Sequence, residues 1–198
     1  MQIQHTLLSK RILKISVNAI KDVKFGDNVT IMGKFTDADG VARANVALKV
    51  FINGKSASTR TNSEGVFTLT SKVGVLGINN VTVTHNGGAN YNPVSANTTF
   101  KMVKQDLKIT VNPISQVKMG NNVTITGKFT DANNVARTNS NVKIYINGVY
   151  GSAKTNSNGV FTYSAKVTKV GVNNVTLNHN GGTNYNPTST NTTFTVVN

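Results

Sequence analysis

The stretch NVTIMGKFTDADG, residues 28–40, decides the fold. Val29, Ile31 and Phe35 fall at every second position with Gly33 between them, and Asn28, Thr30, Lys34 and Thr36 alternate with them. A period of two belongs to a strand with one face on a core and one face in water, whereas a helix would repeat every three to four residues. Asp37-Ala-Asp39-Gly40 then supplies the side chains that turn a backbone. The same text returns 94 residues later as NVTITGKFTDANN, residues 122–134.

Working outward, the alternation recurs in Ile15 and Val17, in Leu48, Val50 and Ile52, in Phe67 and Leu69, in Val81 and Val83, and in Phe100 and Met102. Turn signals separate these runs: Asp39-Gly40, the hairpin dipeptide Asn53-Gly54 with its copy Asn147-Gly148, and NSEG at residues 62–65. Six or seven short strands in about 90 residues, with no helical periodicity, predict an antiparallel β-sandwich of immunoglobulin-like type.

Sliding the sequence over itself by 94 positions pairs Leu13 with Leu107 and Val103 with Val197 without a gap, and 56 of the 91 pairs are identical. This is a tandem duplication. The expected organisation is all-β: a lead-in over residues 1–12, one immunoglobulin-like repeat over 13–103, a linker of Lys104, Gln105 and Asp106, and a second repeat over 107–198. A three-residue linker is too short for a flexible tether and predicts units set end to end.

Composition narrows the function. There is no cysteine, hence no disulfide framework, thiolate metal site or thiol nucleophile. Lys plus Arg number 21 against 7 acidic residues, a formal charge of +14. The charge is scattered, with no basic run beyond Lys10-Arg11, and the aromatic platforms of nucleic-acid readers are missing, so no specific nucleic-acid partner is expected. No apolar run nears the roughly 18 residues of a membrane span, so no membrane insertion is expected of this segment. The first residues, MQIQHTLLSKRILKISV, lack the cleavage site of a signal peptide, and the sequence reads as an excerpt of a longer secreted or anchored protein.

The nonapeptide HNGGANYNP at His85–Pro93, repeated as HNGGTNYNP at His179–Pro187, invites a duplicated metal or phosphate site. His85 continues the alternation of Val81 and Val83, and one His per repeat has no second ligand at metal spacing, so a structural corner is the expectation. Asp37-Ala-Asp39-Gly40 resembles the start of a calcium loop, but no distal Glu follows at the required spacing and the second repeat offers only Asp131 and Asn133, so it reads as an Asp-capped turn. Lys34 and Lys128 read as solvated rather than as partners in a Lys–Asn cross-link promoted by Asp37 or Asp131. The acidic residue shared by both repeats is Asp37 with Asp131, too little for paired-carboxylate or triad chemistry. No catalytic, cofactor-binding or metal-binding residue is expected, and the chain is read as non-enzymatic.

Residues 26–40, Phe51–Lys55, Thr61–Phe67 and Asn79–Pro93 together resemble the bacterial-type immunoglobulin-like repeats of large surface proteins, and look closest to repeats of adhesin-like proteins of methanogenic archaea. The likeness covers both repeats from Leu13 onward. The chain departs from it at His85 and His179, where an aromatic such as Tyr is expected, and at Asn133-Asn134, where the turn loses its glycine. The resemblance implies an extracellular, cell-surface location, a structural or spacer role in an adhesin-like protein, and partners among other surface components of host or microbe. The alternative is a basic module that binds an anionic polysaccharide or cell-wall polymer, for which Tyr145, Tyr150 and Tyr163, aromatic hydroxyls of the second repeat alone, leave room. Six sequons, at Asn28, Asn80, Asn97, Asn122, Asn174 and Asn191, are candidate N-glycosylation sites, and alternation sets them at strand starts or on outward faces.

Overall fold

The computed structural model describes residues 9–198. The part of the expected lead-in before Ser9 lies outside the described residues. Contacts divide the chain into two compact units that meet between Val103 and Lys104.

The first unit contains eight strands, β1 (Leu13–Val17), β2 (Val23–Lys24), β3 (Asn28–Asp37), β4 (Ala47–Ile52), β5 (Lys55–Arg60), β6 (Val66–Lys72), β7 (Gly77–His85) and β8 (Val94–Val103). They form a three-stranded sheet ordered β1-β3-β6 and a five-stranded sheet ordered β2-β8-β7-β4-β5. All pairings of the longer strands are antiparallel, and the two-residue β2 runs parallel to β8. The second unit repeats the arrangement at the same offset, with β9 (Leu107–Val111), β10 (Val117–Lys118), β11 (Asn122–Asp131), β12 (Asn141–Ile146), β13 (Val149–Lys154), β14 (Val160–Lys166), β15 (Gly171–His179) and β16 (Thr188–Val197).

The deciding stretch becomes β3, the centre of its sheet, and its exposed and buried residues alternate as the pattern requires. Val29, Ile31 and Phe35 are closed off from solvent and meet Val50, Val81, Val83 and Phe100 of the facing sheet in one core. Gly33 is buried too: a Cβ there would run into the Ser16 carbonyl and the ring of Phe67, its cross-strand partner. The missing side chain is the space the phenylalanine fills, and Gly127 with Phe161 repeats the device.

A second feature repeated in both units is polar. Asn53 and Gly54 take φ of 48° and 82°, the left-handed conformation of a two-residue hairpin. Asn53 Nδ2 donates to Oδ1 of the buried Asn79 (2.7 Å), whose own Nδ2 donates to the carbonyls of Val75 (2.9 Å) and Gly77 (3.0 Å). Asn53 Oδ1 accepts from the Asn80 amide at 2.9 Å, so the β4–β5 turn is knitted to the start of β7. Asn147, Asn173 and Asn174 build the same staple in the second unit.

Residues Lys104–Asp106 lie within the second unit. Gln105 is buried and pairs with Tyr185, its amide donating to Asn184 O (3.0 Å) and its carbonyl accepting from Asn186 (2.9 Å). Arg11 makes the corresponding bonds beside Tyr91. Each sandwich therefore takes hold of the chain two residues before its first long strand.

Candidate functional site

The duplicated nonapeptide forms a corner at the end of β7 and of β15. His85 Nδ1 accepts a hydrogen bond from the Gly87 amide at 3.0 Å, and its half-buried ring leans on Phe35 with centroids 5.1 Å apart. His179 does the same with Gly181 and Phe129, at 3.0 and 4.8 Å. Accepting at Nδ1 places the proton of the neutral ring on Nε2. Burial first, and then the Arg43 guanidinium, hold the pKa of His85 below its usual value; for His179 burial is followed by Arg137 and Lys143. Gly87 has φ of 75°, and a Cβ there would strike the backbone of Tyr91 and Asn92, so the glycine is demanded twice over. Arg43 lies 4.5 Å above the Tyr91 ring, and Arg137 lies 3.9 Å above that of Tyr185 while donating to its hydroxyl at 2.7 Å. The Nδ1 of each histidine is thus taken up by its own loop, while Asn180 Oδ1, Gly182 O and Asn186 Nδ2 engage Lys143, Lys104 and Asp106.

The Asp37 loop is occupied in the same way. Asp37 Oδ1 accepts from the amides of Asp39 (3.2 Å) and Val41 (2.9 Å), and Asp131 Oδ1 accepts from Asn133 (3.0 Å) and Val135 (2.9 Å). The glycine missing from the second copy is replaced by Asn134, which takes the positive φ of 62° where Gly40 has 82°. Lys34 and Lys128 point into solvent. Among the described residues no three His, Asp or Glu side chains come together as a metal set.

The six sequon asparagines are all exposed. Asn28 and Asn122 open β3 and β11. The other four form a geometry that spacing alone does not reveal. Asn80 pairs in register with Thr99 and Thr82 with Asn97, so two sequons lie antiparallel across one strand pair, and the Thr82 hydroxyl donates to Asn97 Oδ1 at 2.7 Å. In the second unit Asn174 faces Thr193 and Thr176 faces Asn191.

The tyrosines of the second unit separate. Tyr145 and Tyr150 are directly paired on β12 and β13, outward, with ring centroids 5.5 Å apart and planes at 56°. Tyr163 turns inward instead and lies against Gly151, where any Cβ would meet its ring. It is a packing residue and does not share the outer face.

Fold and surface together define a tandem immunoglobulin-like β-sandwich protein. No known protein family matches the chain by sequence, and neither does any curated protein. Among solved structures it is similar to invasin, described as a bacterial integrin-binding protein, with 18% identity over 93% of this chain and 39% of invasin and a TM-score of 0.52. It also matches a 1.5-MDa bacterial ice-binding adhesin (17% identity, 95% of this chain and 65% of that one, TM-score 0.39) and the D0-D1 domain of intimin (18% identity, 92% and 97%, TM-score 0.32). The chain thus spans less than two thirds of the first two proteins. At these identities the likeness is one of fold.

Proposed function

We propose that the two units, with repeats over 13–103 and 107–198 as independently folding domains, are non-enzymatic structural repeats of an adhesin-like surface protein, holding other parts of it away from the cell. The observation that carries this is where the duplicated features end up. The histidine corner, the Asp37 turn, the asparagine staple and the Gly33–Phe67 pair, which both copies retain, each bond inward to the sandwich itself. What is preserved twice is a self-contained brick. The shared fold with invasin supports an outside location, as do six exposed sequons available for glycan. The further likeness to repeats of methanogenic archaea rests on the sequence motifs alone.

The test is proteolytic shaving of intact cells of the native source, followed by mass spectrometry of the released peptides. Peptides of this chain are expected without lysis, with glycan on at least one of Asn28, Asn80, Asn97, Asn122, Asn174 and Asn191. Release only after lysis, with all six unmodified, overturns the proposal.

A further inference from the structure

The outer face of the five-stranded sheet differs between the units at a pair of positions where packing does not require it. In the first unit the β4–β5 pair presents Phe51 opposite Ser56; in the second, β12–β13 presents Tyr145 opposite Tyr150, the latter 59% exposed. Register continues this row across the sheet through Thr176 to Asn191. The adjacent outward row contains Ser152, Lys143, Asn178 and Ser189. Rows two residues apart along a strand are about 7 Å apart, so both lie within the span of one or two sugar rings.

We propose that this face is a binding site for an acidic saccharide, a sugar ring carrying a carboxylate, and that the first unit lacks it. The tilt of 56° between the rings decides the shape. Two coplanar rings would suit a flat crystalline polymer; two tilted ones form a wall and a floor, against which a single pyranose can lay its apolar C–H face. Charge selects the acid. Lys143 stands beside the pair in the next row, Lys154 follows Ser152 outward along β13, and the strands of this sheet contain no carboxylate, since the acids of the second unit are Asp106 and Asp131. Lys143 Nζ has only a 3.4 Å contact to Asn180 Oδ1. Next to it, Asn178 Oδ1 has no hydrogen-bond partner although it is covered, and turning this half-buried amide outward would offer it to a sugar hydroxyl. Thr84 occupies that place in the first unit. The site is independent of the spacer reading, since a brick with or without it still spaces.

The experiment compares the whole chain with its variants on three probes near physiological salt: oligogalacturonate, polyglutamate as a carboxylate polymer without sugar rings, and neutral dextran. Oligogalacturonate is expected to bind at least tenfold more tightly than either of the others. Tyr150→Ser, which installs the residue of the first unit, should bring it down to the polyglutamate level with melting temperature and amide spectrum preserved, and Lys143→Gln should remove most of the preference for acid over dextran. Phe51→Tyr with Ser56→Tyr and Thr84→Asn should double the number of sites per chain. Equal binding of oligogalacturonate and polyglutamate, dextran binding as tight as the acid, or a folded Tyr150→Ser chain that binds unchanged would each overturn the proposal. So would self-association that Tyr150→Ser abolishes, which would make the face a contact between copies.

Discussion

The two units are one design executed twice, and their differences sort by depth. In the core, Phe35, Phe67, Ile31, Val29 and Phe100 are matched by Phe129, Phe161, Ile125, Val123 and Phe194. Where core residues do change, Leu48, Val50, Val83 and Met102 give way to Val142, Ile144, Leu177 and Val196, so one position loses a carbon while another gains one. Over these four positions the number of heavy side-chain atoms is unchanged, which is how a close-packed interior tolerates substitution, while Ala153 in place of Thr59 removes two. The surface obeys no such sum. Asp22, Asp27, Asp39 and Glu64 correspond to Gln116, Asn121, Asn133 and Asn158, so the second unit keeps the polar side chains and drops their charge. Volume is held more closely where close-packed neighbours enforce it, and charge drifts more freely at the surface.

The strongest test of that rule is the buried staple, because it is polar and yet invariant. Removing the amide in Asn79→Ala leaves two carbonyls and the Asn53 side chain without their partner in a closed space, and should cost the first unit about 2–4 kcal/mol. Asn173→Ala should cost the second unit the same within about 0.5 kcal/mol, because the bonds match one for one. Urea melts that follow amide resonances of each unit within the whole chain measure both. A large asymmetry would mean that the copies have diverged in how they are held together.

A smaller effect is expected where the copies differ by a compensated pair. The first unit has Ala57 and Leu69 where the second has Gly151 and Tyr163. Gly151→Ala alone forces the Tyr163 ring to move and should destabilise by about 1–2 kcal/mol; Tyr163→Leu alone leaves a gap of similar cost. The double variant recreates the packing of the first unit and should recover most of the loss, a coupling of about 1 kcal/mol or more. Additive losses in a double-mutant cycle would show that Tyr163 is held by something other than the space over Gly151.

Most of this architecture was legible in the sequence, and the parts that were not share a cause. Periodicity found every strand that has a buried apolar row, β3 most plainly. It gave no signal for β5, KSASTR, an edge strand with no large apolar residue that the Asn53-Gly54 turn alone announces, or for the two-residue β2. It set the beginning of the repeat at Leu13 and Leu107, whereas the buried Gln105 shows the fold engaging earlier, through backbone bonds that carry no side-chain pattern. The histidine corner and the Asp37 turn could be read because turn residues act locally. The pairing of sequons across β7 and β8, and the division of the three tyrosines between face and core, depend on register, which one strand's sequence does not contain.

The smallest expected effect is a pH dependence that the corner confers on both units. Each histidine accepts an amide proton at Nδ1, and protonating that nitrogen would set a donor against a donor beside an arginine. Burial of the ring first, and then the nearby cations, favour the neutral form in the folded state and lower its pKa below the unfolded value of about 6.5. A depressed histidine contributes stability that is fully present above about pH 6.5 and is lost as pH falls below it, through the lowered folded pKa, because the unfolded chain takes up the proton first. Melting temperature should accordingly fall modestly between pH 7.5 and 5, before the carboxylates titrate, and His85→Gln together with His179→Gln should flatten that slope. The comparison of units sharpens the point: Lys143 adds to the lowering at His179, whereas its counterpart Lys49 is not a cause at His85, where Arg43 follows burial. NMR titration of the ring protons should place both pKa values below 6.5, and Lys143→Gln should raise that of His179 while leaving His85 in place. A bound uronate near Lys143 would move His179 in the same direction, so the ring is also a reporter for the saccharide face. A His179 that titrates at or above 6.5 in the free chain would mean that the corner opens in solution and that its hydrogen bond to Gly181 contributes nothing to the fold.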